Sequence, residues 1–218
     1  IEKVNDDNTE EGRYLLHQSV TKESLTTPIR VVYDCSCNSR NAPSLNDCLE
    51  TGTALANDLV AILLRFRTLP IAFTSDIEKA FLNVRLHHAD RTFTKFLWLR
   101  HANNPQSKFD TYRFKSVLFG STSSPFILNA VLRKHLSRYQ NSVAECIQKN
   151  LYVDNLLAGV SAVPNELSQN AVEFYRHANA IMCDAGFKLR SWATNDVTLR
   201  SLITTDNNGD NDTKVNAL

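Results

Sequence analysis

Phe73-Thr74-Ser75-Asp76-Ile77-Glu78-Lys79-Ala80-Phe81 opens on apolar, β-prone residues from Ile71. An acidic residue stands at the strand's end, where an aromatic-bearing turn or helix begins. Alone, such a strand end is a satisfied turn or an N-cap. Its weight comes from a second stretch about eighty residues on, Leu151-Tyr152-Val153-Asp154-Asn155-Leu156-Leu157, which places an Asp at the tip of a tight hairpin. Two carboxylates at two strand ends can converge on a divalent cation.

Working outward, Tyr14 to Val20 and Ile29-Arg30-Val31-Val32-Tyr33-Asp34 read as two strands of an antiparallel hairpin. The polar tip, Thr21 to Pro28, carries Lys22. Lys22 and Arg30 sit where a loop can set cations against a triphosphate, and on spacing alone they are also ordinary surface charges. Leu55, Leu59, Ile62, Leu63 and Phe66 recur at helical spacing, which predicts a helix ended by Pro70 with its apolar face in a core. Glu78 to Val84 reads as a short helical turn. Thr92 to Leu99 and Tyr112 to Phe114 read as a hairpin. Phe119-Gly120 precedes Ser124, a natural N-cap, and Pro125, a natural first helical residue, with a helix to about Tyr139. The Gly120 loop lets a ligand approach the backbone. Gln148 to Val160 reads as a hairpin around Asp154-Asn155. A long amphipathic helix follows from Pro164, closed by Gly186, and Phe187 to Trp192 reads as a last strand. Residues 1–12 read as a loose lead-in, and 196–218 as an acidic, Asn-rich disordered tail. The order predicts an α+β fold with antiparallel strands covered by helices on one face.

The 218 residues carry a net charge of +1, which does not mark a nucleic-acid binder. The distribution is less neutral: Arg85 to Arg138 holds ten Lys and Arg against Asp90 and Asp110, a surplus of eight. Such a stretch can track phosphates or be a solvated surface. Five cysteines with no secretory segment before them read as reduced intracellular thiols. The Cys35-Ser36-Cys37 spacing does not suit zinc. No apolar run is long enough to span a bilayer. The opening Ile1 without Met reads as a piece of a longer polypeptide.

Taken together and in order, Arg30 to Asp34, Phe73 to Phe81, Phe119-Gly120 to Pro125-Phe126, Tyr152-Val153-Asp154-Asn155 and Gly186 to Trp192 resemble reverse transcriptases of LTR retrotransposons. The resemblance lies nearest the BEL/Pao group and covers roughly residues 13 to 195. It implies a right-hand polymerase fold with fingers (about 13–70 and 90–118) and a palm making up the rest. Asp76 and Asp154 are then the catalytic carboxylates, holding two Mg²⁺ (or Mn²⁺) with the backbone carbonyl of Ile77. Phe81 falls at the family's steric-gate position, five after the first Asp, and its alternative role is core packing. Lys22 and Arg30 match cations that clamp the incoming triphosphate. Phe119 and Gly120 match residues lining the nucleotide and template pocket.

Two positions depart from the family pattern. Asn155 stands where a further Asp is common. The Lys that often serves as general acid has no clean match: Lys188 is nearest, shifted in register, and Ser191 stands where close relatives have Lys. The implied partners are an RNA or DNA primer–template and deoxynucleotides, with protease, RNase H and integrase regions joined in a parent polyprotein. The implied location is the cytoplasm or a virus-like particle, with no membrane attachment. Two rival readings are a catalytically inactive retroelement remnant that at most binds nucleic acid, and an interaction domain whose Asp residues merely cap turns.

Overall fold

A computed structural model describes residues 1–4, 12–21, 28–38, 42–161, 167–206 and 216–217. Its elements in chain order are β1 (Glu2–Lys3), β2 (Leu16–Thr21), β3 (Ile29–Asp34), α1 (Leu59–Arg67), β4 (Ile71–Ile77), α2 (Ala80–Asn83), β5 (Lys95–Leu99), β6 (Phe109–Arg113), α3 (Ser124–Leu136), α4 (Ser142–Asn150), β7 (Leu151–Tyr152), β8 (Asn155–Val160), α5 (Leu167–Asp184), β9 (Leu189–Thr194), α6 (Val197–Asp206) and β10 (Asn216–Ala217). They form two compact units, residues 1–53 with 81–124, and residues 54–80 with 125–218. Residues 54–70 therefore pack with the second unit, whereas the sequence reading groups them with the segments before them.

The first unit holds a three-stranded sheet in the order β1-β6-β5 and the separate hairpin β2-β3. The hairpin is antiparallel, with Arg30 opposite Val20. Its tip, including Lys22, lies outside the described residues. Leu15, Cys35, Leu45, Phe96, Phe114 and Leu118 form the core. Tyr33 packs edge-on against Phe96 and Phe114, at 4.9 and 4.7 Å between ring centres. Burial, helped by the Asp34 charge, pushes the Cys35 thiol up to about 11, so it behaves as a small hydrophobe.

Residues 1–4 are not the loose lead-in that their polarity suggests. Glu2 pairs with Arg113 in the ladder. Its carboxylate accepts from Arg113 Nε at 2.7 Å and Arg91 Nη1 at 3.3 Å, with Lys115 Nζ at 3.9 Å. Burial alone would raise the Glu2 carboxyl, but the two guanidinium groups hold it below its ordinary value. Asp110 accepts from Lys3 Nζ and Arg100 Nη2, both at 2.8 Å. Several cations of the basic stretch are thus paired with acids of this unit, Arg91 and Arg113 largely out of solvent, Arg100 and Lys115 still exposed.

The second unit is built on a five-stranded sheet, ordered β10-β9-β4-β8-β7. Its central strand shows why the sheet has two different faces. Ile71, Phe73, Ser75 and Ile77 are buried, while Ala72, Thr74 and Asp76 are half-exposed, because alternate side chains point to opposite faces. The buried face meets α5: Phe73 lies 4.8 Å from the Phe174 ring. Ala171, Phe174, Tyr175, Ala178, Ile181 and Met182 recur at three- and four-residue steps and are all buried. The helix ends as predicted at Gly186, whose φ is +74°. Gly186 N–H donates to the Cys183 carbonyl and Phe187 N–H to that of Met182, the paired bonds that close a helix on a left-handed residue.

Four local expectations need correction. Gln148 to Asn150 are not strand: they end α4, which Asn141 caps by accepting from Ala144 N–H. Only Ala144, Ile147 and Asn150 face inward, too few apolar positions to announce a helix. The apolar face expected for α1 is only partly core: Ile62 is buried, but Leu59 and Leu63 on the same face are 39% and 41% exposed. Helical spacing predicts a face, not a layer to cover it. Ser124 does not cap: its hydroxyl donates to the Leu118 carbonyl at 2.6 Å. Residues 197–206 are not a disordered tail but a helix, started by Asp196 accepting from Leu199 N–H and held by buried Leu199 and Ile203.

The β7-β8 hairpin turns through Val153, whose φ is +57°. A β-branched residue is strained there, by roughly 1–2 kcal/mol.

Two outcomes follow. Arg100 and Lys3 hold the Asp110 carboxyl down to about 2. Its folded value lies below the unfolded one, so its stabilisation is present above the ordinary aspartate range and fades as pH falls toward 2. Carboxyl NMR titration should show this low midpoint, and Arg100→Met should move it up; an unmoved midpoint contradicts the assignment. Val153→Asn, which tolerates left-handed backbone, should raise the melting temperature by roughly 2–4 °C. A lowered one would show that Val153 is not strained.

Candidate functional site

Asp76 is the sixth residue of β4, on the face opposite Phe73 and therefore opposite the α5 contacts. Asp76 and Asn155 are direct cross-strand partners, which puts their side chains on one face of the sheet. Asn155 Nδ2 donates to Asp154 Oδ1 at 3.0 Å. The Asp154 carbonyl in turn accepts from Ile77 N–H at 2.8 Å, which ties the hairpin tip to the end of β4. The two strand-end aspartates therefore belong to one bonded cluster. Separate turn caps would not need this register.

The other neighbour of β4 completes the cluster. Asp76 pairs with Arg190 across β4 and β9. Arg190 Nε donates to Asp76 Oδ2 at 3.1 Å, and Nη1 lies 4.0 Å from Glu78 Oε1. A bulge aims this side chain. Thr74 pairs with Ala193 and Asp76 with Arg190, so β9 carries one extra residue there. Ser191 takes up the turn at φ +53°, and Ser75 Oγ donates to the Arg190 carbonyl at 2.8 Å. Lys188 is exposed just before β9, and its carbonyl accepts from Glu78 N–H. Among the described residues no group of three or more His, Cys, Asp or Glu side chains could share a metal ion. The cluster offers the Asp76 and Asp154 carboxylates and the Asn155 amide.

The remaining candidates fall in the first unit. Arg30 is exposed on β3. Phe81 is 7% exposed and packs edge-on against Phe119 at 4.7 Å, while Phe119 itself is 54% exposed. Gly120 has φ +89°, which any side chain would strain. Asn46 staples this loop: Nδ2 donates to the Gly120 carbonyl at 3.0 Å and Oδ1 accepts from Thr122 N–H at 2.9 Å.

Sequence reasoning missed Arg190, Glu78 and Asn46. Arg190 and Glu78 lie inside quoted motifs, but only the strand register shows that they meet Asp76. Asn46 is separated from Gly120 by 74 positions, and no local pattern marks it.

The pattern of the family described as reverse transcriptase (RNA-dependent DNA polymerase) matches residues 19–191. No curated protein matches. Among solved structures, the prototype foamy virus protease–reverse transcriptase shares 18% identity over 81% of this chain and 20% of its own, with a TM-score of 0.59. The foamy viral enzyme in complex with RNA/DNA hybrid gives 16% identity, 82% and 20% coverage and a TM-score of 0.55. Its form with double-stranded DNA gives 16%, 81% and 26%, with 0.57. The chain thus spans only 20–26% of the length of these structures. Among the described residues no helix is long and apolar enough to cross a membrane. The mixed α/β fold with antiparallel sheets is the one those structures share, and the chain belongs to the reverse transcriptase (RNA-dependent DNA polymerase) family.

Proposed function

We propose that this chain is the fingers and palm of a BEL/Pao-type reverse transcriptase, an RNA-directed DNA polymerase. The first unit serves as fingers and the second as palm. The observation that carries the reading is the register that sets Asn155 across from Asp76, on the sheet face opposite the α5 contacts, and bonds the adjoining Asp154 to Asn155 and to the end of β4.

The donor set suits a hard cation. It is all oxygen, and Mg²⁺ keeps several waters and asks for only one or two carboxylates besides substrate phosphates. Asp76, Asp154 and the Ile77 carbonyl would hold the two ions, Mg²⁺ or Mn²⁺. Bound there, they would activate a primer 3′-hydroxyl and neutralise the pyrophosphate that leaves. Asn155 contributes a neutral donor that orients Asp154. Lys22 and Arg30 bind the triphosphate. Phe81 excludes a ribose 2′-hydroxyl by its bulk, held on edge by Phe119. Gly120 lets the backbone approach the template, and Lys188 supplies a cation near the leaving group. The partners are a primer–template, gripped by its backbone and so salt-sensitive, and deoxynucleotides. Protease, RNase H and integrase segments belong to the same parent chain, which works in the cytoplasm or in a virus-like particle.

The second reading, an inactive remnant that binds nucleic acid, is favoured by one feature: Asn155 brings no charge where the family commonly places a carboxylate. Primer extension on an RNA template with Mg²⁺ and deoxynucleotides separates the two. Extension should occur and fall by roughly three orders of magnitude or more in Asp76→Asn and Asp154→Asn. No extension, with salt-sensitive template binding kept, would establish the remnant. Phe81→Val should let ribonucleotides be incorporated while deoxynucleotide extension continues; unchanged selectivity would leave Phe81 as packing alone.

A further inference from the structure

We propose that Arg190 is a counter-ion that occupies Asp76 until a divalent cation enters, and that it then passes to Glu78. The proposal rests on the metal-site reading above and adds a residue to it. Arg190 Nε holds Asp76 Oδ2 at 3.1 Å, and Nη1 of the same guanidinium lies 4.0 Å from Glu78 Oε1. The side chain therefore already stands between two carboxylates, one of them a proposed metal ligand. It is 40% exposed and Asp76 28%, so neither group is locked in the core and the contact can be exchanged.

The arrangement follows from charge. Asp76 and Glu78 stand at the end of β4 and Asp154 in the neighbouring hairpin turn, and Lys79 Nζ, 3.7 Å from Glu78 Oε1, offsets only part of this negative charge. Arg190 supplies one permanently charged group, placed by the Ser191 bulge. A divalent ion on Asp76 brings more charge to the same carboxylate and repels the guanidinium. The two cations then compete, and linkage makes the competition reciprocal: whatever the ion costs the Arg190 pair, the pair costs the ion. Glu78, which already shares Oε1 between Lys79 Nζ at 3.7 Å and Arg190 Nη1 at 4.0 Å, can draw the displaced guanidinium closer without a change of backbone. Arg190 acts through Asp76, so it is a positioning residue.

The test is Mn²⁺ binding to the full chain, read from the electron paramagnetic resonance signal of the free ion, with no nucleotide present. Asp76→Asn should abolish the tight site; unchanged binding there would overturn the metal-site reading itself, whatever Arg190 does. Given an Asp76-dependent site, Arg190→Met should bind Mn²⁺ roughly three- to tenfold more tightly. It should also melt at a lower temperature without metal, yet gain more from added Mn²⁺ than the parent chain. Equal or weaker binding overturns the proposal, because a residue that merely orients Asp76 for metal would be missed. Glu78→Gln should weaken Mn²⁺ binding, and this effect should vanish in the Arg190→Met background. An effect that persists there would show Glu78 acting on the ion directly and not by receiving Arg190. If Arg190→Met fails to fold, Arg190→Lys decides: it keeps the charge and should bind Mn²⁺ as the parent does, whereas a loss of affinity overturns the proposal.

Discussion

One backbone hydrogen bond, from Ile77 N–H to the Asp154 carbonyl at 2.8 Å, ties down the register on which the proposed site depends. It places Asn155 opposite Asp76 and so brings the hairpin tip to the end of β4. A slip by one residue would turn Asp76 toward the Phe73 side and Phe73 toward solvent. The hydrophobic pattern of β4 therefore protects the placement of Asp76. Val153 in left-handed backbone is the local strain that this tight hairpin carries.

The two units spend charge differently. In the first, acids are absorbed into ion pairs that tie strands together: Glu2 gathers three cations and Asp110 two. In the second, Arg190 meets Asp76 at a half-exposed strand end, where a pair contributes little to stability and is easily exchanged. The first arrangement suits a scaffold, the second a site that must take up and release charged ligands.

Much of this was legible in the residues. Alternation in Ile71 to Ile77 and the three- and four-residue steps of 171–182 name their strand and helix outright, and Gly186 marks its helix end. The α4 helix was not legible, since it buries only three residues, and its C-terminal carbonyls are met by distant partners: Asn57 donates to Gln148 and Arg65 to Lys149. The ordered start of the chain was hidden for a similar reason, because Glu2 looks like a solvated acid until β6 supplies Arg113. At the proposed site, both aspartates were named from motif order, and the strand register ties their segments together. Arg190 could not be named, because its meeting with Asp76 depends on one extra residue in β9 that no spacing rule reveals. What escapes sequence reading here is pairing across long separations, not the character of single elements.

The central claim is that Asp76 and Asp154 form one divalent-metal site. Anomalous diffraction from crystals soaked in Mn²⁺ tests it most directly. The account predicts an anomalous peak bonded to carboxylate oxygens of both residues, with Arg190 withdrawn from Asp76. A peak touching only one of them, or manganese bound elsewhere with the cluster unaltered, would contradict it.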